Sequence, residues 1–379
     1  MGERLACVIG DLDLVQPLGL AGIDVVMAAN TMAEVRWSRH VSSTFKLGSF
    51  WTESEAAVEG LISFARSQER RPMLFYQTDA AVMAVSRHRD QLAPHFDFVI
   101  PDANLVNDLA DKSRFSALAA RLGIPTPHTT MLVGGEEATD LDALTYPVVV
   151  KPAVRDHGDL WSEATGAAKA IRCGSAEDLT QFLAQPCMDG LVLLVQDEIS
   201  GPETAICSYH AWIDPGGNTR AEFTGRKIRT WPAEFGVSTA VEITEDAEVL
   251  EVGRRTLKAL DFTGVAKIDF KRDQAGELLV LEVNPRFSLW HHPAARAGVN
   301  IPAMIADYLS GAPVRGYHVK PGVCWCNPWK DAVAARRQGS GAFSWLRFLL
   351  STDARYAGHL DDPGASVGWL AHRVRMLNH

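Results

Sequence analysis

The sequence predicts an α/β protein that opens on a doubly wound parallel sheet and becomes α+β in its second half. Three observations predict this. Short apolar runs alternate with amphipathic helices through the first hundred residues, the rhythm of βα units. Beyond about residue 190, apolar runs follow one another with few helices between them. Within Lys267 to Arg286, KIDFKRDQAGELLVLEVNPR, two alternating runs flank a glycine turn, the pattern of a hairpin.

The first half sets out its elements in order. Leu5 to Ile9 reads as a buried strand, Leu14 to Ala21 as a helix and Asp24 to Ala28 as a second strand. Glu53 to Ser67 reads as a helix whose apolar face carries Ala57, Leu61, Phe64 and Ala65. Met73 to Tyr76 is a strand ending at Thr78 and Asp79, Ala80 to Arg89 a helix, and Phe96 to Ile100 a further strand. Such sheets take ligands at the carboxyl ends of their strands, so Asp79 could touch a substrate. GDLDLVQPLG after the first strand lacks the glycine spacing of a dinucleotide fingerprint, which argues against a nicotinamide cofactor. This half is therefore expected to be a scaffold that covers one side of a site built elsewhere.

Composition bounds the rest. The chain has 379 residues, 47% hydrophobic and 22% charged, enough for two or three soluble domains. Its net charge of -9 argues against nucleic acid as a bulk partner. Six cysteines without a disulfide framework suit a reducing compartment. Arg4 leads into a strand-like run and not a signal peptide, and no apolar run matches a membrane span, so a cytoplasmic protein is expected.

The second half carries the chemistry. Asp111 to Leu122 is an amphipathic helix with Lys112 in its first turn, broken by Gly123, Pro125 and Pro127. Val148 to Val150 form a buried strand with Lys151 at its mouth, where an ammonium must reach water or an anion. The following segment, containing His157, Gly158, Trp161 and Gly166, could fold over phosphates with its backbone N–H groups, ahead of a strand from Ala170 to Arg172. Leu191 to Glu203 is a strand running into a Ser200-Gly201-Pro202 turn. Strands Ala205 to Ile213 and Thr219 to Arg226 follow, then Arg226, Lys227 and Arg229, a cluster that could be a solvated face, and Gly236 to Thr239. The helix Asp246 to Leu260 leads into the hairpin, where period-two geometry puts Glu282 and Asn284 on one face with Asp269 beside them. Two carboxylates and an amide oxygen are hard ligands suited to Mg²⁺. Any one of these acids could simply point to water, but Glu282 lies among Leu279, Val280, Leu281 and Val283, where an acid needs a partner.

This run resembles the metal-binding end of the ATP-grasp fold, in which an acid on one strand and a Glu-x-Asn on the next hold two Mg²⁺ over ATP; Mn²⁺ is a conceivable substitute. The resemblance covers about Lys112 to Gly311 and implies a layout of a pre-ATP-grasp domain (1–108), an ATP-grasp domain (109–312) and a C-terminal extension (313–379) packed on it. Within the second, the lid spans roughly 125–200 and the metal and catalytic half roughly 201–312. It assigns Lys112 to the nucleotide phosphates, Lys151 to the α-phosphate and the adenine side, and Gln196 to the vicinity of adenine. Asp197 and Ile199 would supply backbone contacts to the base, and Glu203 would bind the ribose. Asp269, Glu282 and Asn284 would hold metal. Lys227 or Arg229 would meet the transferring phosphate, Arg286 would steady an acyl phosphate, and Lys267 would lie near the substrate carboxylate. Ser238, Trp290, His291 and His292 would be substrate contacts, although adjacent histidines are more often packing residues.

The layout most resembles the D-aspartate-ligase-like carboxylate–amine ligases. It implies small carboxylate and amine substrates and no nucleic-acid or membrane partner, and it is compatible with a homodimer. Asn284-Pro285-Arg286 departs from the Asn-x-Ser of the D-alanine ligases, which weighs against D-alanine dipeptide synthesis. Two alternatives stand beside it: a carboxylase or purine-pathway type of ATP-grasp enzyme, and a non-catalytic nucleotide-binding regulator. Cys324 and Cys326 lack a second pair at zinc spacing.

Overall fold

A computed structural model describes residues 4–29, 35–136, 141–153, 160–166, 168–357 and 362–368. His157 and the rest of 154–159, read above as part of a phosphate cover, lie outside the described residues.

The first sheet is built from β1 (Leu5–Ile9), α1 (Leu12–Leu20), β2 (Asp24–Ala29), β3 (Val41–Lys46), α2 (Ser54–Arg66), β4 (Met73–Tyr76), α3 (Asp79–Arg87) and α4 (Arg89–Leu92). Its strands are all parallel, in the order β3-β2-β1-β4. β1 and β4 are buried runs without alternation because both faces of the sheet are covered. Asp11 caps α1, and Thr78 caps α3 by accepting from the Ala81 N–H at 3.2 Å, which puts Asp79 in the first turn. The expected strand Phe96 to Ile100 is corrected: a single bridge, Met73 to Asp97, stands in its place. Phe96 is buried, but the Val99 carbonyl accepts from the Tyr76 hydroxyl at 2.6 Å and not from a ladder. In the other direction, the edge strand β3 was not anticipated, because VSSTFK has too few apolar residues to show the period.

Helices α5 (Ala103–Ala110) and α6 (Lys112–Leu122), capped by Asp102 and Asp111, lead into a second sheet. This comprises β5 (Thr129–Val133), β6 (Val148–Pro152), α7 (Leu160–Thr165), β7 (Ile171–Cys173), α8 (Ala176–Leu183) and β8 (Val192–Asp197). Its strands are antiparallel in the order β5-β8-β6-β7, over a core of their own that includes Val148, Val150, Trp161, Leu179 and Val195.

The third sheet is the largest. It contains β9 (Ile206–Ile213), β10 (Thr219–Trp231), β11 (Val237–Thr244), α9 (Ala247–Ala259), β12 (Gly264–Arg272) and β13 (Leu278–Asn284). Then come α10 (His291–Arg296), α11 (Ile301–Leu309), β14 (Cys324–Cys326), α12 (Pro328–Arg337), α13 (Ala342–Ser351) and β15 (Ala354–Arg355). The strand order is β13-β12-β9-β10-β11-β14-β15. One face, with Tyr209, Ile268 and Phe270, packs on α6 and α9. On the other, Trp212, Phe223, Val241 and Ile243 fuse with the first sheet and α10 and α11 into one core. Buried Asp13 joins these pieces, accepting from the Trp325 indole at 2.8 Å and meeting His292 Nδ1 at 2.9 Å. Burial pushes the Asp13 carboxyl well above the usual carboxylate range, although the indole hydrogen bond opposes this. Among the described residues no helix is long and apolar enough to cross a membrane.

Candidate active site

The register of the large sheet gathers the cleft. β12 pairs with β13 so that Lys267 faces Asn284 and Asp269 faces Glu282, and with β9 so that Lys267 faces His210 and Asp269 faces Ser208. Residues two apart on a strand share a face, so these six side chains form two adjacent rows on one floor. Lys267 Nζ lies 2.6 Å from Asp269 Oδ2 and 3.7 Å from Glu282 Oε1. Ser208 Oγ donates to Asp269 Oδ1 at 2.5 Å, and Asn284 Nδ2 donates to Glu282 Oε1 at 3.0 Å. Desolvation alone would raise the Glu282 pKa, but Lys267, the Asn284 amide, Lys227 and Arg286 together hold it well below the usual carboxylate range.

No trio of acidic, histidine or cysteine side chains converges among the described residues. Two carboxylates and one amide oxygen fit Mg²⁺ as a partner that completes its shell from phosphate oxygens and water, and not a metal caged by protein alone. Arg286 stands at the rim: Nε is 2.5 Å from Asp79 Oδ1, Nη1 3.1 Å from the Gln77 carbonyl, and Nη2 3.5 Å from Asn284 Oδ1.

The residues expected at the nucleotide lie together on the second sheet. β6 and β8 are neighbours, so Lys151 Nζ donates to Gln196 Oε1 at 3.1 Å, and Gln196 Nε2 donates in turn to Thr129 Oγ1 at 3.0 Å. Lys112 Nζ reaches the Pro152 carbonyl at 2.9 Å, joining the same mouth. At the end of β8 the Asp197 N–H is bonded to the His128 carbonyl at 2.9 Å, so a backbone contact from Asp197 to a base would come from its carbonyl. The Ile199 N–H has no partner among the described residues. Glu203 lies past the turn, 3.9 Å from Lys227 Nζ. Lys271, which sequence reasoning did not single out, donates to the Gly201 carbonyl at 2.7 Å and braces that turn. Burial lowers its pKa, opposed by Glu203 and Glu198.

Several expected contacts lie elsewhere. Arg229 is bonded to Asp331 on α12 through Nε at 2.8 Å and Nη2 at 2.7 Å, and its guanidinium lies 4.2 Å from the Phe348 ring centroid. It anchors the C-terminal segment, which corrects its expected role at the phosphate. Ser238 pairs with Thr230 near the end of β10, beyond the irregularity that follows Lys227. Trp290, His291 and His292 are corrected from substrate contacts to core: they are 2%, 0% and 0% exposed. Trp290 sits against Gly225, where a Cβ would come within 2.3 Å of its ring. His291 packs edge-on to Phe287 at 5.2 Å, and burial lowers its pKa to about 4. Sequence reasoning missed Lys271, Ser208 and His210. Lys271 was findable from its two-residue offset to Asp269, whereas Ser208 and His210 depend on pairing with a strand some sixty residues away.

An acid on one strand, Asp269, faces Glu-x-Asn, Glu282 to Asn284, on the next, with Lys267 beside both carboxylates. The fold is that of the ATP-grasp proteins. The family described as "ATP-grasp in the biosynthetic pathway with Ter operon" matches residues 225–323. A D-alanine–D-alanine ligase of Halorhodospira halophila (strain DSM 244 / SL1) is 30% identical over 213 residues, which span 53% of this chain and 66% of that protein. The chain thus covers a little under two thirds of that curated relative's length. Among solved structures, the ADP complex of N5-carboxyaminoimidazole ribonucleotide synthetase shares the ATP-grasp fold with TM-score 0.66 at 14% identity, covering 89% of this chain and 85% of that one. The L-amino acid ligase of Bacillus licheniformis superposes with TM-score 0.61 at 14% identity, covering 81% and 74%.

Proposed function

We propose that this ATP-grasp protein is an ATP-dependent carboxylate–amine ligase that forms an amide through an acyl phosphate, releasing ADP and phosphate, in the D-aspartate-ligase-like branch. The observation that carries this is the floor formed by Asp269, Glu282 and Asn284 with Lys267 among them and Arg286 at the rim.

In this reading ATP lies between the two antiparallel sheets. Lys112 and Lys151 bind its phosphates, the Gln196 to Ile199 hinge takes the base, and Glu203 takes the ribose. Asp269, Glu282 and Asn284 would hold Mg²⁺, which when bound spreads the charge of the γ-phosphoryl group. Lys227, on the same floor, faces the transferring phosphate. The substrate carboxylate lies between Lys267 and Arg286, its oxygen attacks the γ-phosphorus, and the bond to ADP breaks. The amine then attacks the acyl carbon and phosphate leaves, with Arg286 stabilising the oxyanion in between. No nucleophilic side chain is needed. The three-part layout 1–108, 109–312 and 313–379 is part of the same proposal.

The test is ADP release across paired carboxylates and amines with Glu282→Gln as control. Turnover is expected to fall by about a hundred- to a thousandfold in the variant, the scale set by losing one electrostatic contact to the transferring group, while circular dichroism stays unchanged. Normal turnover in Glu282→Gln overturns the metal assignment, and dependence on bicarbonate in place of an amine moves the protein to the carboxylase class.

A further inference from the structure

Lys267 occupies the ground between the two carboxylates of the floor. Its Nζ lies 2.6 Å from Asp269 Oδ2 and 3.7 Å from Glu282 Oε1. The second Asp269 oxygen accepts from Ser208 Oγ at 2.5 Å, so both oxygens of this buried acid are engaged by the chain itself. A divalent cation drawing on Asp269 and Glu282 must therefore compete with an ammonium for the same oxygens. The register also shows where that ammonium can go. Lys267 has two cross-strand neighbours, Asn284 on β13 and His210 on β9. His210 is fully buried, and neither of its ring nitrogens has a hydrogen-bond partner among the described residues. Its ring is stacked on Phe223, its neighbour on β10 and so on the side away from Lys267, with centroids 4.4 Å apart and planes at 3°. Burial first, and then His291 and the Lys267 ammonium, lower the His210 pKa well below its ordinary value. A neutral imidazole carries one nitrogen that accepts, and a buried acceptor with nothing to accept calls for an explanation.

We propose that Lys267 is a built-in counter-ion of Asp269 and Glu282 that yields their oxygens to a divalent cation, and that His210 receives the displaced ammonium. The proposal rests on the ligase reading above and adds how charge is exchanged on the floor. With Lys267 between them the two acids do not repel, and the floor keeps its shape. On yielding, the ammonium turns toward the neighbouring strand, where His210 offers a lone pair and no charge. It then faces the substrate carboxylate and no longer a carboxylate of the chain. A bare ion must break the Lys267 pair and leave two cations close together. An ion arriving with a triphosphate brings anionic oxygens that offset the freed ammonium, so the floor discriminates in favour of metal with nucleotide over metal alone. His210 is a positioning residue in this account, because it acts through Lys267 and touches neither phosphate nor substrate.

The test is a Mn²⁺ titration of the full chain in the absence of nucleotide, read from the electron paramagnetic resonance signal of the free ion. It compares the wild type with Lys267→Met, His210→Phe and the double variant. Lys267→Met removes the competitor and is expected to bind Mn²⁺ about tenfold or more tighter than the wild type, the scale of a hydrogen bond to a charged group. His210→Phe keeps a flat ring on Phe223 and alters no charge. It is nevertheless expected to bind Mn²⁺ about three- to tenfold more weakly, because the ammonium has lost its second acceptor. In the double variant that weakening vanishes, since no ammonium is left to receive. His210→Gln and His210→Leu repeat the comparison without an aromatic ring: the amide supplies an acceptor and is expected to stay near wild-type affinity, whereas the leucine should match His210→Phe. Thermal unfolding of each variant checks that the fold persists. Unchanged affinity in Lys267→Met, or no binding by it at millimolar ion, overturns the proposal. So does a His210→Phe affinity equal to that of the wild type, or one weakened equally with and without Lys267. ADP release by the wild type separates the two readings. Release together with unchanged Mn²⁺ affinity in Lys267→Met overturns the counter-ion alone, and the expected Mn²⁺ pattern with no release from any carboxylate and amine overturns the ligase reading alone.

Discussion

Replacing Asp331 with alanine should destabilise the protein strongly without touching its chemistry. Asp331 is fully buried and accepts from Arg229 Nε at 2.8 Å and Nη2 at 2.7 Å, from Thr239 Oγ1 at 2.9 Å and from the Trp345 indole at 3.1 Å. Its removal leaves the Arg229 guanidinium, only 13% exposed, without its counter-charge, a change that costs about 3–5 kcal/mol. Two neutral donors also lose their acceptor, so the upper part of that range is expected. Urea unfolding at pH 7.5, fitted for free energy and slope, measures it. The decisive comparison is the double variant Arg229→Met, Asp331→Leu, which removes both charges and fills the space. It should regain most of the lost stability and keep wild-type ADP release, because Arg229 anchors α12 and not the phosphates. A double variant that is stable but inactive would refute this reasoning and return Arg229 to the reaction.

Three further outcomes follow from other contacts. Burial holds His210 and His291 neutral, with His291 near 4, and nearby His291 and Lys267 also lower His210. Both folded values lie below the unfolded value of about 6.5, so the unfolded chain binds more protons below that pH, and unfolding free energy should fall with acidification, by about 3 kcal/mol for His291 alone between pH 6.5 and 4. Denaturation midpoints independent of pH from 7 to 5.5 would contradict this. Gln196→Leu removes the acceptor of Lys151 and should weaken ATP binding about tenfold, read by calorimetry, with little change in turnover at saturating ATP. Lys271→Met should loosen the Ser200 to Pro202 turn and raise the ATP KM by a similar factor; an unchanged KM would show that the turn holds its shape without the bond to the Gly201 carbonyl.

The sequence made legible what local pattern governs. Apolar alternation across the Gly276 turn was enough to place Asp269, Glu282 and Asn284 on one face, since a hairpin's register is set by its own turn. Asp79 could be put at a strand end, but not against Arg286, because that contact depends on how two sheets dock. Arg229 was misjudged for a similar reason: a bulge follows Lys227 on β10, and Asp331, which claims the guanidinium, comes a hundred residues later. His291 and His292 look polar in a sequence, yet they pack among Phe223, Phe287 and Asp13, the partners that make an interior imidazole tolerable.

Asp13 fixes more than its own neighbours. By tying α1 to His292 and Trp325 inside a common core, it joins the parallel sheet that carries Asp79 to the large sheet that carries Arg286. The small antiparallel sheet has a separate interior and meets the remainder through narrow junctions such as Lys112 with Pro152 and Val280 with Pro125. In the proposed ligase, a clamping movement over nucleotide would fall to that sheet, whose core is separate from that of the rest.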